Sequence, residues 1–346
     1  MDYEKRESPK YIRLSLAAAL TLGFKNGSFY RNAKLSCINL LLTYANGCVG
    51  NCAYCGLSGK RPGSFHEKSF IRVEWPVEKF EEVLDRIELR TDGVKRICLS
   101  MIANARAPSD LIGMARRIRR CRKIPLSLLV TPTIVTDKDL MQFKDTGADR
   151  LGIAIDTATE TLFEKYRGKG VRAPHRWDRY WSFFEKSVKI FGKNHVGSHL
   201  IVGLGETEKE MVETIQKVKD LGGTTHLFSF YPESGSLLDG FTIPPLGQYR
   251  RIQLARYLID EGRVSFGKMG FNSSDQIIHF GIDDGDLVGI IDAGRPFMTS
   301  GCPDDEGNVA CNRPYGNSRP GLYIRNYPFP LETEDTRRVQ RQIWRY

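Results

Sequence analysis

Short apolar runs recur along the chain, and most are followed by a stretch in which apolar residues return every three or four positions. The runs read as buried strands and the longer stretches as amphipathic helices. The first run is Cys37–Leu42; then come Val94–Met101, Leu126–Thr131, Arg150–Asp156, His199–Leu204 and Thr225–Tyr231. Among the helices, the first opens at Trp75 and Pro76, with Val77, Phe80, Val83, Leu84 and Ile87 on one face. Others are predicted over 108–122, 137–146, 159–166, 176–191, 209–221 and 246–260. Thr207, with Glu210 three residues on, makes a capping box for one of them. Ahead of the first strand, residues 11–24 predict a helix ended by Gly23.

Strands alternating with helices imply parallel pairing. Six such units fall short of the eightfold barrel. The expected fold is therefore α/β: a partial (β/α)6 TIM barrel over 37–260, an N-terminal helical extension over 1–36 and a C-terminal loop-rich extension over 261–346. The strand C-termini of such a barrel form one mouth, where loop-borne chemistry gathers.

Composition changes this picture in two ways. The formal net charge of +10 favours an acidic partner, whether nucleic acid, acidic protein or small anion. No interleaving of aromatic and basic residues marks RNA binding, so an acidic carrier protein or SAM-sized anions are at least as well suited as nucleic acid. No run approaches the ~20 apolar residues of a membrane span, and the charged opening Met1–Arg6 lacks an apolar signal core. A cytoplasmic protein without a membrane partner is expected. Eight cysteines in 346 residues are too few for a disulfide-dense secreted scaffold.

Cys48, Cys52 and Cys55 stand at C-x3-C-x2-C spacing on the loop leaving the first strand. Thiolates this close together select zinc or iron–sulfur. A closed zinc site wants a fourth ligand nearby, yet the next cysteine is Cys98 and His66 stands alone. Three local ligands suit a [4Fe–4S] cluster with one iron left open. The alternatives are a structural three-cysteine clip or, from another class, a zinc protein that contacts nucleic acid through its basic surface.

The C-x3-C-x-aromatic-C run after a first strand resembles the radical S-adenosylmethionine (SAM) superfamily. The resemblance implies that the open iron chelates SAM, that reductive cleavage yields a 5′-deoxyadenosyl radical, and that this radical takes hydrogen from an unactivated carbon. It places Tyr54 near the adenine, Asp156 at the ribose and Arg167 at the SAM carboxylate. The stretch Val202-Gly203-Leu204-Gly205-Glu206-Thr207 is similar to the fifth-strand segment of lipoyl and biotin synthases, which sets Val202 and Leu204 against adenine. The second strand departs from the family: where many members carry a Gly-Gly-Glu-like segment for the SAM amine, Ser100 is the available group. Phe230–Leu238 resembles the sixth-strand exit of biotin synthase-like proteins.

Five cysteines remain. Cys98 in a strand and Cys121 in a basic helix read as inert thiols. Cys302 and Cys311 sit in a segment rich in glycine, proline and polar residues, where ligation is a better use for a thiol than core packing. A disulfide between them is the alternative, disfavoured in a reducing compartment. Cys37 starts the first strand at the barrel's bottom end, and meets Cys302 and Cys311 if residues 11–37 fold back or the strand begins later. Lipoyl synthases carry an auxiliary cluster held by three cysteines and a serine and consumed as sulfur source. By that resemblance the auxiliary ligands are Cys37, Cys302, Cys311 and one non-cysteine group, with Ser318 the candidate. The usual N-terminal auxiliary cysteine triplet is missing, so the chain is most similar to one component of the two-protein lipoyl synthases. Their substrate is an octanoyl chain on an acidic carrier protein. A second radical SAM subunit and an electron donor such as ferredoxin or flavodoxin are then implied partners. A biotin synthase-like enzyme without sulfur insertion is the rival reading.

Overall fold

The computed structural model describes residues 6–89, 93–316 and 319–346. Its strands are β1 (Tyr11–Leu14), β2 (Cys37–Leu41), β3 (Val77–Lys79), β4 (Arg96–Ser100), β5 (Leu126–Val130), β6 (Arg150–Asp156), β7 (Val196–Val202) and β8 (Thr224–Ser229). They form one sheet in the order β3-β1-β2-β4-β5-β6-β7-β8. From β2 to β8 every pairing is parallel. β1 is antiparallel to both β2 and β3. The sheet does not close on itself, so the core is the expected partial barrel.

The helices are α1 (Leu16–Thr21), α2 (Phe80–Leu89), α3 (Ala107–Cys121), α4 (Asp137–Asp145), α5 (Glu160–Tyr166), α6 (Trp177–Phe191), α7 (Glu208–Asp220) and α8 (Leu246–Asp260). Among the described residues none is long and apolar enough to cross a membrane. Side chains on one face of the strands, including Ile38, Leu40, Ile97, Leu99, Leu128, Leu151, Ile153, Leu200 and Leu227, are buried in the main core. The alternate positions differ in kind. Register pairs Cys37 with Arg96, Asn39 with Cys98, Cys98 with Ser127, Ser127 with Arg150, and His199 with His226. Paired residues share a face, so the barrel's inner face is lined by thiols, amide, imidazoles and guanidiniums.

Two boundaries differ from the periodic reading. The helix expected over 11–24 begins at Leu16, capped by the Ser15 hydroxyl, and Tyr11–Leu14 is a strand. All four strand residues are buried, because both faces of this run are covered. A helix would have turned one side of it to solvent. Arg13 is tolerated there because its guanidinium donates to the carbonyls of Trp75 (3.0 Å), Phe65 (3.2 Å) and Lys68 (2.6 Å). Val77–Lys79 likewise pairs with β1, and α2 starts only at Phe80, with Phe80, Val83, Leu84 and Ile87 buried as expected.

The C-terminal extension has more structure than its composition suggests: a short hairpin of β9 (Gly270–Phe271) and β10 (Ile277–His279), then α9 (Asp284–Asp292) and α10 (Thr333–Ile343). Arg251 on α8 pairs with Glu208 on α7 (2.6 Å) and donates to the carbonyl of Ile343 at the end of α10 (2.6 Å). Glu208 also accepts from Ile277 N in the hairpin (2.8 Å). Residues 300–312 cross the open side of the barrel at the strand N-termini. Leu227 N donates to Ser300 Oγ (2.8 Å), Arg96 Nε to Pro303 O (2.7 Å) and Ser36 N to Asn312 Oδ1 (3.1 Å). This segment bridges β8 to β2.

Candidate functional site

The loop after β2 holds Cys52 buried and Cys48 and Cys55 partly buried. Val49 N donates to Ala103 O (2.8 Å) and Ala53 N to Tyr166 O (2.8 Å), tying the loop to segments that leave two other strands. Backbone amides also aim at sulfur: Gly50 N lies 3.3 Å from Cys48 Sγ and Leu57 N 3.4 Å from Cys55 Sγ. Donors so placed favour a thiolate. Gly50 is required for space, since a Cβ there would stand 2.8 Å from His175 Nε2 and 3.2 Å from Cys48 Sγ. Burial pushes all three thiols up, Cys52 to about 11. A bound metal that displaces their protons offsets that cost.

Three free thiols on one short loop, two of them approached by backbone N–H groups, are the residues that would hold a [4Fe–4S] cluster: Cys48, Cys52 and Cys55.

Beside these thiols lies a buried polar group. Tyr54 OH donates to Asp156 Oδ2 (2.6 Å), Arg167 pairs with the same carboxylate, and Arg167 also donates to Tyr54 OH (2.8 Å) and Tyr180 OH (3.0 Å). Asp156 sits at φ +70° where the β6–β7 register slips. A left-handed aspartate at a bulge is a strained position, and strain of this sort gathers at functional sites. The bulge aims the carboxylate into the mouth. Tyr180 OH in turn lies 2.8 Å from Thr131 Oγ1 and 3.1 Å from His175 Nδ1, and Thr133 Oγ1 is 2.6 Å from that nitrogen. Burial first, then the charge of Arg167, lowers His175 to about 2, so its imidazole is neutral.

Leu204 joins Cys52, Ala53, Tyr54, Tyr166 and Phe230 in a small apolar cluster at the mouth. It packs there because Glu206 accepts from Gly203 N (2.6 Å) and Leu204 N (2.9 Å), fixing the turn. Gly203 has φ +106°, and a Cβ on it would meet the Pro244 ring at 2.7 Å. Val202 belongs instead to the main core, while Ile201 flanks the mouth cluster. Ser100 Oγ lies 3.9 Å from Cys98 Sγ, down the inner face. The structure thus brings Cys48, Cys52, Cys55, Tyr54, Asp156, Arg167 and Leu204 together, and leaves the side chains of Val202 and Ser100 outside that group. Sequence reasoning missed His175, Tyr180, Thr131 and Thr133. Tyr180 follows the apolar face of α6, and nothing in the local sequence distinguishes the other three.

Away from the mouth, Asn39 Nδ2 lies 3.8 Å from Cys37 Sγ and 3.6 Å from Cys311 Sγ. Cys302 Sγ is 3.8 Å from His226 Nε2. Cys37 reaches the other two because residues 300–312 descend to the strand N-termini, not because residues 11–37 fold back. All three are free thiols. Ser318 lies outside the described residues.

Known proteins similar to this chain fall in one group. A biotin synthase of Sulfurihydrogenibium sp. (strain YO3AOP1) is 24% identical over 195 residues, 56% of this chain and 54% of that protein, so the match spans about half of that relative's length. A biotin synthase of Prochlorococcus marinus (strain NATL1A) is 23% identical over 262 residues, 72% of this chain and 71% of that protein. Among solved structures, methylornithine synthase (PylB) superposes with a TM-score of 0.51 at 12% identity, over 71% of this chain and 67% of that one, a likeness of fold. The profile of the Radical SAM superfamily matches residues 42–218, a span that holds the three mouth cysteines, Tyr54, Asp156, Arg167 and Leu204. On that match and that mouth, the chain belongs to the radical SAM superfamily and is biotin synthase-like.

Proposed function

We propose that this radical SAM enzyme inserts sulfur into an unactivated C–H bond of an octanoyl chain held by an acidic carrier protein, as one component of a two-protein lipoyl synthase. The observation that carries the reading is the meeting of Cys37, Cys302 and Cys311 inside the barrel. A radical SAM mouth alone accounts for hydrogen abstraction and supplies no sulfur; a second thiol site in the same barrel offers a place for a sulfur-bearing cluster. When bound, the mouth cluster supplies the electron that cleaves SAM, delivered by ferredoxin or flavodoxin. For each C–S bond formed one C–H bond is broken, and its hydrogen leaves in 5′-deoxyadenosine; the sulfur would be a sulfide of the auxiliary cluster, whose Fe–S bonds would break and whose ferric iron would take up the one electron released. Within the protein, Asp156, Tyr54 and Arg167 orient the nucleoside and amino acid ends of SAM, and Leu204 excludes water from its adenine. The second radical SAM subunit makes the other C–S bond.

Iron and labile sulfide per chain after anaerobic reconstitution test this. About eight irons are expected for the wild type and about four for Cys302→Ala/Cys311→Ala, together with a thiol on the octanoyl chain by mass spectrometry. About four irons in both proteins, with no sulfur in the product, would replace sulfur insertion by a single-cluster reaction.

A basic groove supports the acidic carrier as partner. The end of α10 meets the start of α8 around a cavity of about 500 Å³ lined by Leu246, Leu322, Tyr323, Arg338, Arg341 and Arg345. Leu322 and Tyr323 are 64% and 69% exposed. Arg338 and Arg341 share the single carboxylate of Glu334 (3.9 and 3.4 Å), which leaves the rim positive. The groove is lined by Pro245, and the preceding Pro244 abuts Gly203 at the mouth. Arg338→Glu/Arg341→Glu is expected to raise KM for the octanoylated carrier on the order of tenfold, with kcat and iron content unchanged. An unchanged KM would remove this face as the docking site.

A further inference from the structure

By sequence alone Cys98 reads as an inert strand thiol. Its place in the barrel is different. It sits on the inner face of β4, beside Asn39 on β2 and Ser127 on β5. Each of the six pairs among Cys37, Cys98, Cys302 and Cys311 lies within electrostatic reach. The four thiols come from β2, β4 and the segment that bridges β8 to β2.

We propose that Cys98 is the fourth ligand of the auxiliary iron–sulfur cluster, so that Cys37, Cys98, Cys302 and Cys311 hold it by four thiolates and no serine is needed. This rests on the reading above that an auxiliary cluster exists.

Three observations separate this from a nest of inert core thiols. The first is charge. Arg96, Arg150 and Arg313 all act on these thiols; Asp149 is shared by a two-pronged pair with Arg96 (2.8 and 2.7 Å) and a longer one with Arg150 (3.9 Å), which among the described residues leaves one carboxylate against three guanidiniums, and Arg313 Nη2 donates only to Ser300 O (2.9 Å). Burying surplus guanidiniums costs free energy unless negative charge balances them. A cluster with four thiolates is anionic. The second is an unpaired donor. Arg313 Nε is buried without a hydrogen-bond partner among the described residues. Unsatisfied buried donors in a native fold call for an unseen acceptor, and cluster sulfides are acceptors. The third is construction. The bridging segment is pinned at Ser300, Pro303 and Asn312, and Gly301 packs so closely that a Cβ would lie 2.0 Å from Cys311 O. These contacts fix Cys302 and Cys311 opposite Cys37 and Cys98. Ligation would close the fourth side and lock the extension onto the barrel.

The test removes the mouth cluster first. In a Cys48→Ala/Cys52→Ala/Cys55→Ala background, any remaining iron belongs to the second site, and about four irons per chain are expected. Adding Cys98→Ala should bring that below about one. Adding Cys98→Ser, which keeps the volume, should leave a cluster whose electron paramagnetic resonance and Mössbauer parameters are changed by an oxygen ligand. Adding Cys121→Ala, at a thiol near Leu84 O and far from this group, should change nothing. If Cys98→Ala and Cys98→Ser both keep about four irons with the parent spectrum, Cys98 is not a ligand, and the auxiliary cluster survives with another fourth group. If the background itself holds no iron, the auxiliary cluster falls, and this inference with it. Cys98→Ala in the otherwise wild-type chain reports on folding, because the mouth must still reconstitute about four irons.

Discussion

Cys52→Ala should reduce 5′-deoxyadenosine formation to the background of the reductant while leaving the barrel folded. Of the three mouth cysteines it is the most buried, and it packs in the same apolar cluster as Tyr54 and Leu204. A cluster left with two thiolates cannot be held with one iron free for a ligand. The cofactor carries the hard chemistry, so no neighbouring side chain substitutes for the lost corner. The fold does not depend on the thiol. The loop is anchored by Val49 N to Ala103 O and Ala53 N to Tyr166 O, and neither bond uses a cysteine side chain. Circular dichroism should therefore be unchanged, and iron should fall by about four per chain. Cleavage of SAM at a wild-type rate by this variant would mean that the cluster is held elsewhere.

Glu208→Ala should cost stability out of proportion to its distance from the mouth. Glu208 and Arg251 are 3% and 1% exposed, and the carboxylate accepts from Arg251 Nε and Nη2 and from Ile277 N. Removing one partner of a buried pair strands the other charge, at about 3–5 kcal/mol. Arg251 also donates to Ile343 O and Arg345 O, so the loss should loosen α10 from α8. The exposed pair Arg176–Asp178, at 71% and 69% exposure, is the control, and breaking it should leave stability nearly unchanged. Urea unfolding of the anaerobic apoprotein measures both. Equal midpoints for Glu208→Ala and Asp178→Ala would refute the assignment. Glu208→Ala/Arg251→Met should recover much of the loss, because no unpaired charge is then left buried.

Several features were legible before any tertiary structure. The six parallel strands follow from period and apolarity, and their helices from amphipathic spacing, because both patterns are local. The cluster loop was legible for the same reason: its three ligands lie within eight residues. The capping of α7 by Thr207 with Glu210 also came from spacing alone. The strand at Tyr11–Leu14 did not, since its partners lie at Leu40–Leu41 and Val77–Lys79 and only the sheet covers both its faces.

The chain alone determined the barrel class and set the mouth cysteines on the loop after the first strand, while the roles of Tyr54, Asp156 and Arg167 toward SAM came from the family resemblance. Only the tertiary structure decided which inner-face groups meet. Cys98 looks apolar among Ile97 and Leu99, yet strand alternation turns its thiol the other way, toward residues more than two hundred positions later. His175 and Tyr180 reach the mouth through α6, and their contacts are set by helix placement rather than by their neighbours in sequence. The physical reason is the same in each case. Periodicity records which side of an element is buried; the identity of the atoms facing it depends on long-range closure, which a local pattern does not carry.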